Sequence, residues 1–168
     1  MKKSIYLLVA MLFTLVACQQ EQLDVPTEPG NIFQSQLAKM VDGKLKLTIE
    51  QGAILAAAQE IDVVQRLQLI PQEAKITEID GKHYLRIFSS EDYISTMELI
   101  ADPASPLGFV AADVICSSSD CASGGGCIPD GQYCTKCVVG QDWWGNDKYG
   151  DCDRTTISRV QGAVGIGN

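Results

Sequence analysis

The chain has 168 residues, with 21 acidic against 13 basic side chains, a single histidine and a net charge of −8. That length suits one modest domain with a small appendage and leaves no room for a second full core. No stretch concentrates Lys and Arg, so nucleic acid is a poor candidate partner: phosphate binding needs a basic footprint that is missing here.

The amino-terminal residues read as an export signal. Met1-Lys2-Lys3-Ser4 is a short basic segment, residues 5–14 are apolar, and Leu15-Val16-Ala17-Cys18 closes the stretch with small side chains. The apolar run is well short of the ~20 residues that a bilayer-crossing helix requires. Leu15-Val16-Ala17-Cys18 resembles the lipobox of bacterial lipoproteins. The resemblance implies that residues 1–17 are a signal peptide, that Cys18 becomes the acylated first residue of the mature chain, and that the protein sits in the cell envelope, outside the cytoplasm, attached to membrane through its lipid. Without Lys2 and Lys3 the balance becomes 11 basic against 21 acidic residues, a net charge of −10. Residues 18–31 are polar, carry Pro26 and Pro29 and lack an apolar period, as a flexible tether would.

Residues 32–115 form the expected folded domain. Asp42-Gly43 is a turn signal whose flanks fit hairpin arms and a glycine-capped helix equally well. Thr48 and Gln51 match a capping box, and Ile54, Ala57, Ala58, Ile61, Val64 and Leu67 recur at helical spacing. Together they predict one helix over residues 49–69, stopped by Pro71. Asp80-Gly81 is a two-residue hairpin signal. It sets Ile79 opposite Lys82, Glu78 opposite His83 and Ile76 opposite Leu85, with Ile76, Leu85 and Ile87 facing the core. Residues 93–101 fit both patterns, since Tyr93, Ile94, Met97, Ile100 and Ala101 recur at helical spacing while Ile94-Ser95-Thr96 favours a strand; a third strand is preferred, and the apolar run of residues 108–115 is expected as a fourth. The predicted fold class is α+β: one helix packed on a small antiparallel sheet, followed by a disulfide-rich, irregular C-terminal module.

That module spans residues 116–154, with a C-terminal tail at residues 155–168. Cys116, Cys121, Cys127, Cys134, Cys137 and Cys152 cluster in a glycine-rich stretch with too few apolar side chains to offset chain entropy, so three disulfides are expected. Six cysteines allow 15 connectivities, and the spacing does not choose among them. Cys134-Thr135-Lys136-Cys137 has the C-x-x-C spacing of a zinc knuckle or a thiol-redox pair. No second knuckle, histidine or strand-to-helix context accompanies it, so no metal or cofactor is assigned. The segments 126–131, 134–137 and 150–156 resemble the cysteine-rich C-termini of secreted proteins and lipoproteins of the Bacteroidota, a resemblance that implies no activity.

Trp143 and Trp144, with Tyr149 and Tyr133 nearby, either plug the module's interior or form an exposed platform for a protein or glycan partner. Asp142, Asn146, Asp147, Asp151 and Asp153 offer calcium-type oxygens without the spacing of a calcium loop, and read as solvated turns. His83 is taken as a structural partner of Glu78, and pairing of the third strand through Phe88 and Tyr93 would set Glu98 on its other side. No nucleophile elbow, phosphate loop or dinucleotide fingerprint is present, so the chain is read as a non-enzymatic binding module. The alternative is a metal-binding or thiol-redox protein using the C-x-x-C. Cys18→Ser should abolish acylation and signal cleavage, because serine lacks the thiol that carries the lipid. Mass spectrometry of the wild-type mature chain checks this, and an unmodified chain starting at another residue would refute it.

Overall fold

The computed structural model describes residues 29–121 and 125–157. Cys18, the signal segment, nearly all of the tether and the end of the tail therefore lie outside the described residues. The architecture corrects the α+β expectation. Strands dominate, with 48% of the structure in strand and 13% helical, and the main sheet curls into a nearly closed, barrel-like form.

A 3₁₀ turn at Pro29–Gln34 leads into β1 (Ala38–Val41) and β2 (Lys44–Leu47). Two short helices follow, α1 (Gln51–Ala58) and α2 (Asp62–Arg66). The antiparallel meander then runs through β3 (Pro71–Ile79), β4 (Lys82–Ser89), β5 (Ile94–Ala101) and β6 (Gly108–Ser118). The strand order is β2-β1-β6-β5-β4-β3, and β2 comes back into contact with β3. β11 (Asp153–Thr156) adds a seventh strand. One edge of β6 is taken by β5, while the other is shared, β1 pairing at Gly108 and Phe109 and β11 from Val114 to Ser117.

Both Asp-Gly steps are hairpin turns. Asp42 and Gly43 have φ of 52° and 72°, and Asp80 and Gly81 have φ of 51° and 77°, the two positive values that a type I′ turn requires. The second hairpin has the expected register: Ile79 faces Lys82, Glu78 faces His83 and Ile76 faces Leu85. Leu85 and Ile87 are fully buried, and Ile76 packs against the same core.

The single long helix is the main correction. A straight helix through residues 49–69 would set Val63 about 180° away from Ile54, on the solvent side. The chain instead bends at Ile61, whose backbone is extended (φ −68°, ψ 128°), so that Ile54, Ala57, Ala58, Ile61, Val63 and Val64 are all buried. Leu67, expected inside, is exposed. Nor does the capping box form. Glu50 stands at the N-cap without a side-chain bond, and Thr48 Oγ1 donates to the Gln36 carbonyl at 2.7 Å.

The helices cover the inner face of the sheet, where Ile54, Val64, Leu85, Ile87, Met97 and Ile115 form the principal core. The outer face of β4–β6 is covered as well. Four consecutive residues of β4, Tyr84 to Ile87, are buried, and so are Thr96, Val114 and Cys116 on the neighbouring strands. Only a second covering layer can bury successive positions of one strand.

An added Cβ at Gly81 would meet nothing within 4 Å, so its cost would be conformational rather than a matter of space. Gly81→Val should lower the denaturant midpoint by an amount equivalent to about 1–3 kcal/mol. Gly81→Asn should lose much less, because Asn tolerates the left-handed region. Equal midpoints for Val and wild type would contradict the turn's role.

Candidate functional site

The second layer is the cysteine-rich segment. Its disulfides join Cys116 to Cys134, Cys121 to Cys137 and Cys127 to Cys152, with Cα separations of 5.7, 5.8 and 5.6 Å. In chain order the first cysteine pairs with the fourth, the second with the fifth and the third with the sixth. Cys116 belongs to β6 and is fully buried, so its bridge ties the module directly to the sheet. Val114, Cys116, Cys121 and Cys127 make a small core with the remaining cysteines packed around it.

Two glycines explain how the strapping closes. A Cβ on Gly126 would collide with the Cβ of Cys137, and one on Gly150 would lie 2.7 Å from both Asp120 Cβ and Val139 Cγ1. Backbone approaches this close exclude larger residues. Polar ties complete the layer. The Thr135 amide donates to the Ile128 carbonyl at 2.9 Å, the Asp151 amide to Asp120 Oδ2 at 3.0 Å, and Arg154 Nε to the Gln132 carbonyl at 2.7 Å. β7 (Pro129–Asp130) and β8 (Tyr133–Cys134) form a minimal hairpin inside it.

Beyond the bridges, β9 (Val138–Gln141) and β10 (Asp147–Tyr149) form a hairpin that carries Trp143 and Trp144 at its tip. Both rings are in solvent, 92% and 84% exposed. The rings therefore do not plug the module's interior. The loop that carries them is clasped by Asp142. Its Oδ1 accepts from the Trp144 amide at 2.8 Å and the Asn146 amide at 2.9 Å, and its Oδ2 accepts from Asn146 Nδ2 at 2.9 Å. The Asp142 carbonyl also accepts from the Gly145 amide at 3.0 Å, and its own amide donates to the Asn146 carbonyl at 2.8 Å. These bonds, led by that from the Asn146 side chain, hold the Asp142 carboxyl below the usual carboxylate range.

Tyr149, at the end of β10, is half exposed with Lys136 Nζ 5.3 Å from its ring centroid; Tyr133, Val138 and Val139 are also exposed. The sequence pointed to the Trp pair but not to Asp142, which was grouped with calcium-type oxygens. An Asp ahead of Gly145-Asn146 was the available cue, since Asp side chains bind amides a few residues on and organise turns.

The other acidic candidates disperse. Asp153 pairs with Arg66 at 2.9 Å, and Asp147 accepts from Gln141 at 3.4 Å. Among the described residues no three His, Cys, Asp or Glu side chains are grouped so as to hold a metal. Cys134 and Cys137 take different partners rather than bridging each other. His83 faces Glu78 as expected, but its other neighbour is Leu99, because β4 and β5 pair through Phe88 and Ile94; Glu98 lies opposite Tyr84 and binds Lys82 at 3.2 Å. The His83 ring meets Phe109 edge-on at 6.1 Å. No protein family, curated protein or solved structure matches this chain.

Two measurements follow from this geometry. A depressed carboxyl pKa means that the Asp142 clasp is present above the ordinary carboxylate range and is lost only as pH falls through its lower, folded value. Amide-exchange protection of Trp144 and Asn146 should therefore persist, as pH falls, beyond the titration of an unperturbed aspartate. Loss with an ordinary midpoint near pH ~3.9 would contradict the clasp. Replacing Cys127 and Cys152 together by Ser opens the widest loop, with a separation of 25 residues. It should destabilise the fold by about 3 kcal/mol, measured by equilibrium unfolding.

Proposed function

We propose that this protein is a non-enzymatic contact module of the bacterial cell envelope, held to membrane by lipid on Cys18, whose stapled hairpin presents Trp143 and Trp144 to a partner. The exposure of two adjacent tryptophans on one braced loop carries this reading. Scattered apolar side chains on a surface are ordinary, but two large aromatic rings in full solvent cost solubility and anchor interfaces well. The Asp142 clasp supports it too, because a loop already ordered loses little entropy when it binds.

The anchoring half of the proposal rests on Leu15-Val16-Ala17-Cys18, and the non-enzymatic half on the lack of any recognisable catalytic motif in the sequence. A thiol-redox reading of Cys134 and Cys137 is disfavoured by their separate disulfide partners.

Photo-crosslinking in intact cells tests the contact surface. A photoreactive side chain in place of Trp143 or Trp144 should give a discrete adduct, and the same group at exposed Ile70, just ahead of β3, should not. The adduct's mass and its sensitivity to protease or glycosidase separate a protein partner from a glycan. Absence of adducts at both Trp positions would remove the contact-surface proposal. In parallel, denatured envelope protein should react with no more thiol reagent before reduction than a Cys-free control. Two or more reactive thiols would favour the metal or redox reading.

A further inference from the structure

The molecule's acidity is not evenly spread. Lys39 and Lys46 stand directly opposite one another in the β1–β2 hairpin, and Lys44 faces Val41 one pair further along the same outer face. The opposite face of the hairpin turns Leu45 and Leu47 toward the core. All three lysines are exposed. The ion pairs among the described residues join Arg66 to Asp153, Lys75 to Glu73 and Lys82 to Glu98, and none includes Lys39, Lys44 or Lys46. Like charges directly opposite across a strand pair are unfavourable, so the placement has a cost to folding.

Edge protection accounts for part of it. Lysines on an edge strand discourage pairing with other chains, and β2 is an edge of the sheet. Lys39, however, lies on β1, where it is paired to Lys46 on one side and to Gly108 on the other. It has no edge to guard.

We infer that the outer face of the β1–β2 hairpin, through Lys39, Lys44 and Lys46, docks on the anionic phospholipid headgroups of the membrane that carries the anchor. The inference rests on the proposed lipid at Cys18, and two further observations select this occupant. The first is charge: three lysines on one face of a chain of net charge −10 beyond residue 17 form a local basic site that suits an anionic surface. The second is reach. From Cys18 to Pro29, where the described structure begins, the chain can span at most roughly 40 Å, and the β1–β2 hairpin is the first sheet element after it. The domain is thereby kept near the surface, and the basic face needs only to come within a Debye length of about 8 Å to be attracted.

Docking this way would also orient the molecule. β1 meets the beginning of β6, at Gly108 and Phe109, whereas the disulfide module is attached to its other end at Cys116. The two functional faces would lie at opposite ends of β6.

The test uses the mature protein as purified from native envelope, mixed with vesicles of phosphatidylcholine alone or of phosphatidylcholine with phosphatidylglycerol. Lysine acetylation rates are read by mass spectrometry. Labelling of Lys39, Lys44 and Lys46 should slow roughly five-fold on the anionic vesicles, recover in concentrated salt, and leave Lys136 and Lys148 unchanged. Equal labelling of the three lysines on both vesicles, with the protein floating on both, would overturn the basic-face inference and keep the anchor. Protection on anionic vesicles by protein that fails to float with neutral ones would keep the basic face and overturn the anchor. Failure to float with either, without protection, would overturn both.

Discussion

A sheet whose middle strands bury side chains on both faces needs two covers, and in this protein the covers are chemically different. The inner face is closed by apolar contacts with α1 and α2, which involve Ile54, Val63 and Val64. The outer face is closed by a segment with little apolar surface of its own, kept in place by the bridge between Cys116 in β6 and Cys134. Burial of Tyr84, Thr96 and Val114 therefore depends on a covalent bond as much as on the hydrophobic effect. Both ends of the cover are fastened, because the segment leaves β6 at Ser118 and returns to the same strand as β11. Arg66 of α2 meets Asp153 of β11, which links the two covers around the edge of the sheet.

This arrangement places the exposed tryptophans on the stiffest kind of support available to a short segment. The β9–β10 hairpin has few contacts with the main sheet, and its four β9 residues are all exposed. Its order comes from Cys137 at its base, Gly150 wedged beside Asp120 and Val139, and Asp142 at its tip. A carboxylate that is fully engaged with local amides acts here as a fastener, and the rings are left free for contact.

The features legible in the sequence were those set by local chemistry. Asp80-Gly81 determined a register that the structure reproduces pair by pair, since a two-residue turn leaves no slack. The number of bridged cysteines followed from composition. What was lost was decided at long range. The flanks of Asp42-Gly43 make strands of only four residues each, too short for period-two alternation to separate from a helical pattern. The six residues at helical spacing over residues 49–69 leave Val63 off their face, and burying Val63 with them requires the break at Ile61. Asp153-Arg154-Thr155-Thr156 carries no apolar signal at all and becomes a strand because the free edge of β6 pairs with it. The exposure of Trp143 and Trp144 depended on the hairpin's direction, which no local pattern specifies.

The order of the cysteine pairs bears on how the chain can mature. A polypeptide that emerges amino end first presents Cys116, Cys121 and Cys127 to an oxidant before any of their native partners, which all lie further along, at Cys134, Cys137 and Cys152. Every bond available to the first three cysteines among themselves is the wrong one. Native connectivity can then be reached only by delaying oxidation until the 25 residues from Cys127 to Cys152 have followed, or by thiolate exchange that undoes early bridges. The sheet supplies a template for the correction: once β6 pairs with β5, Cys116 is fixed in register opposite Thr96 and is no longer free to hold an early partner.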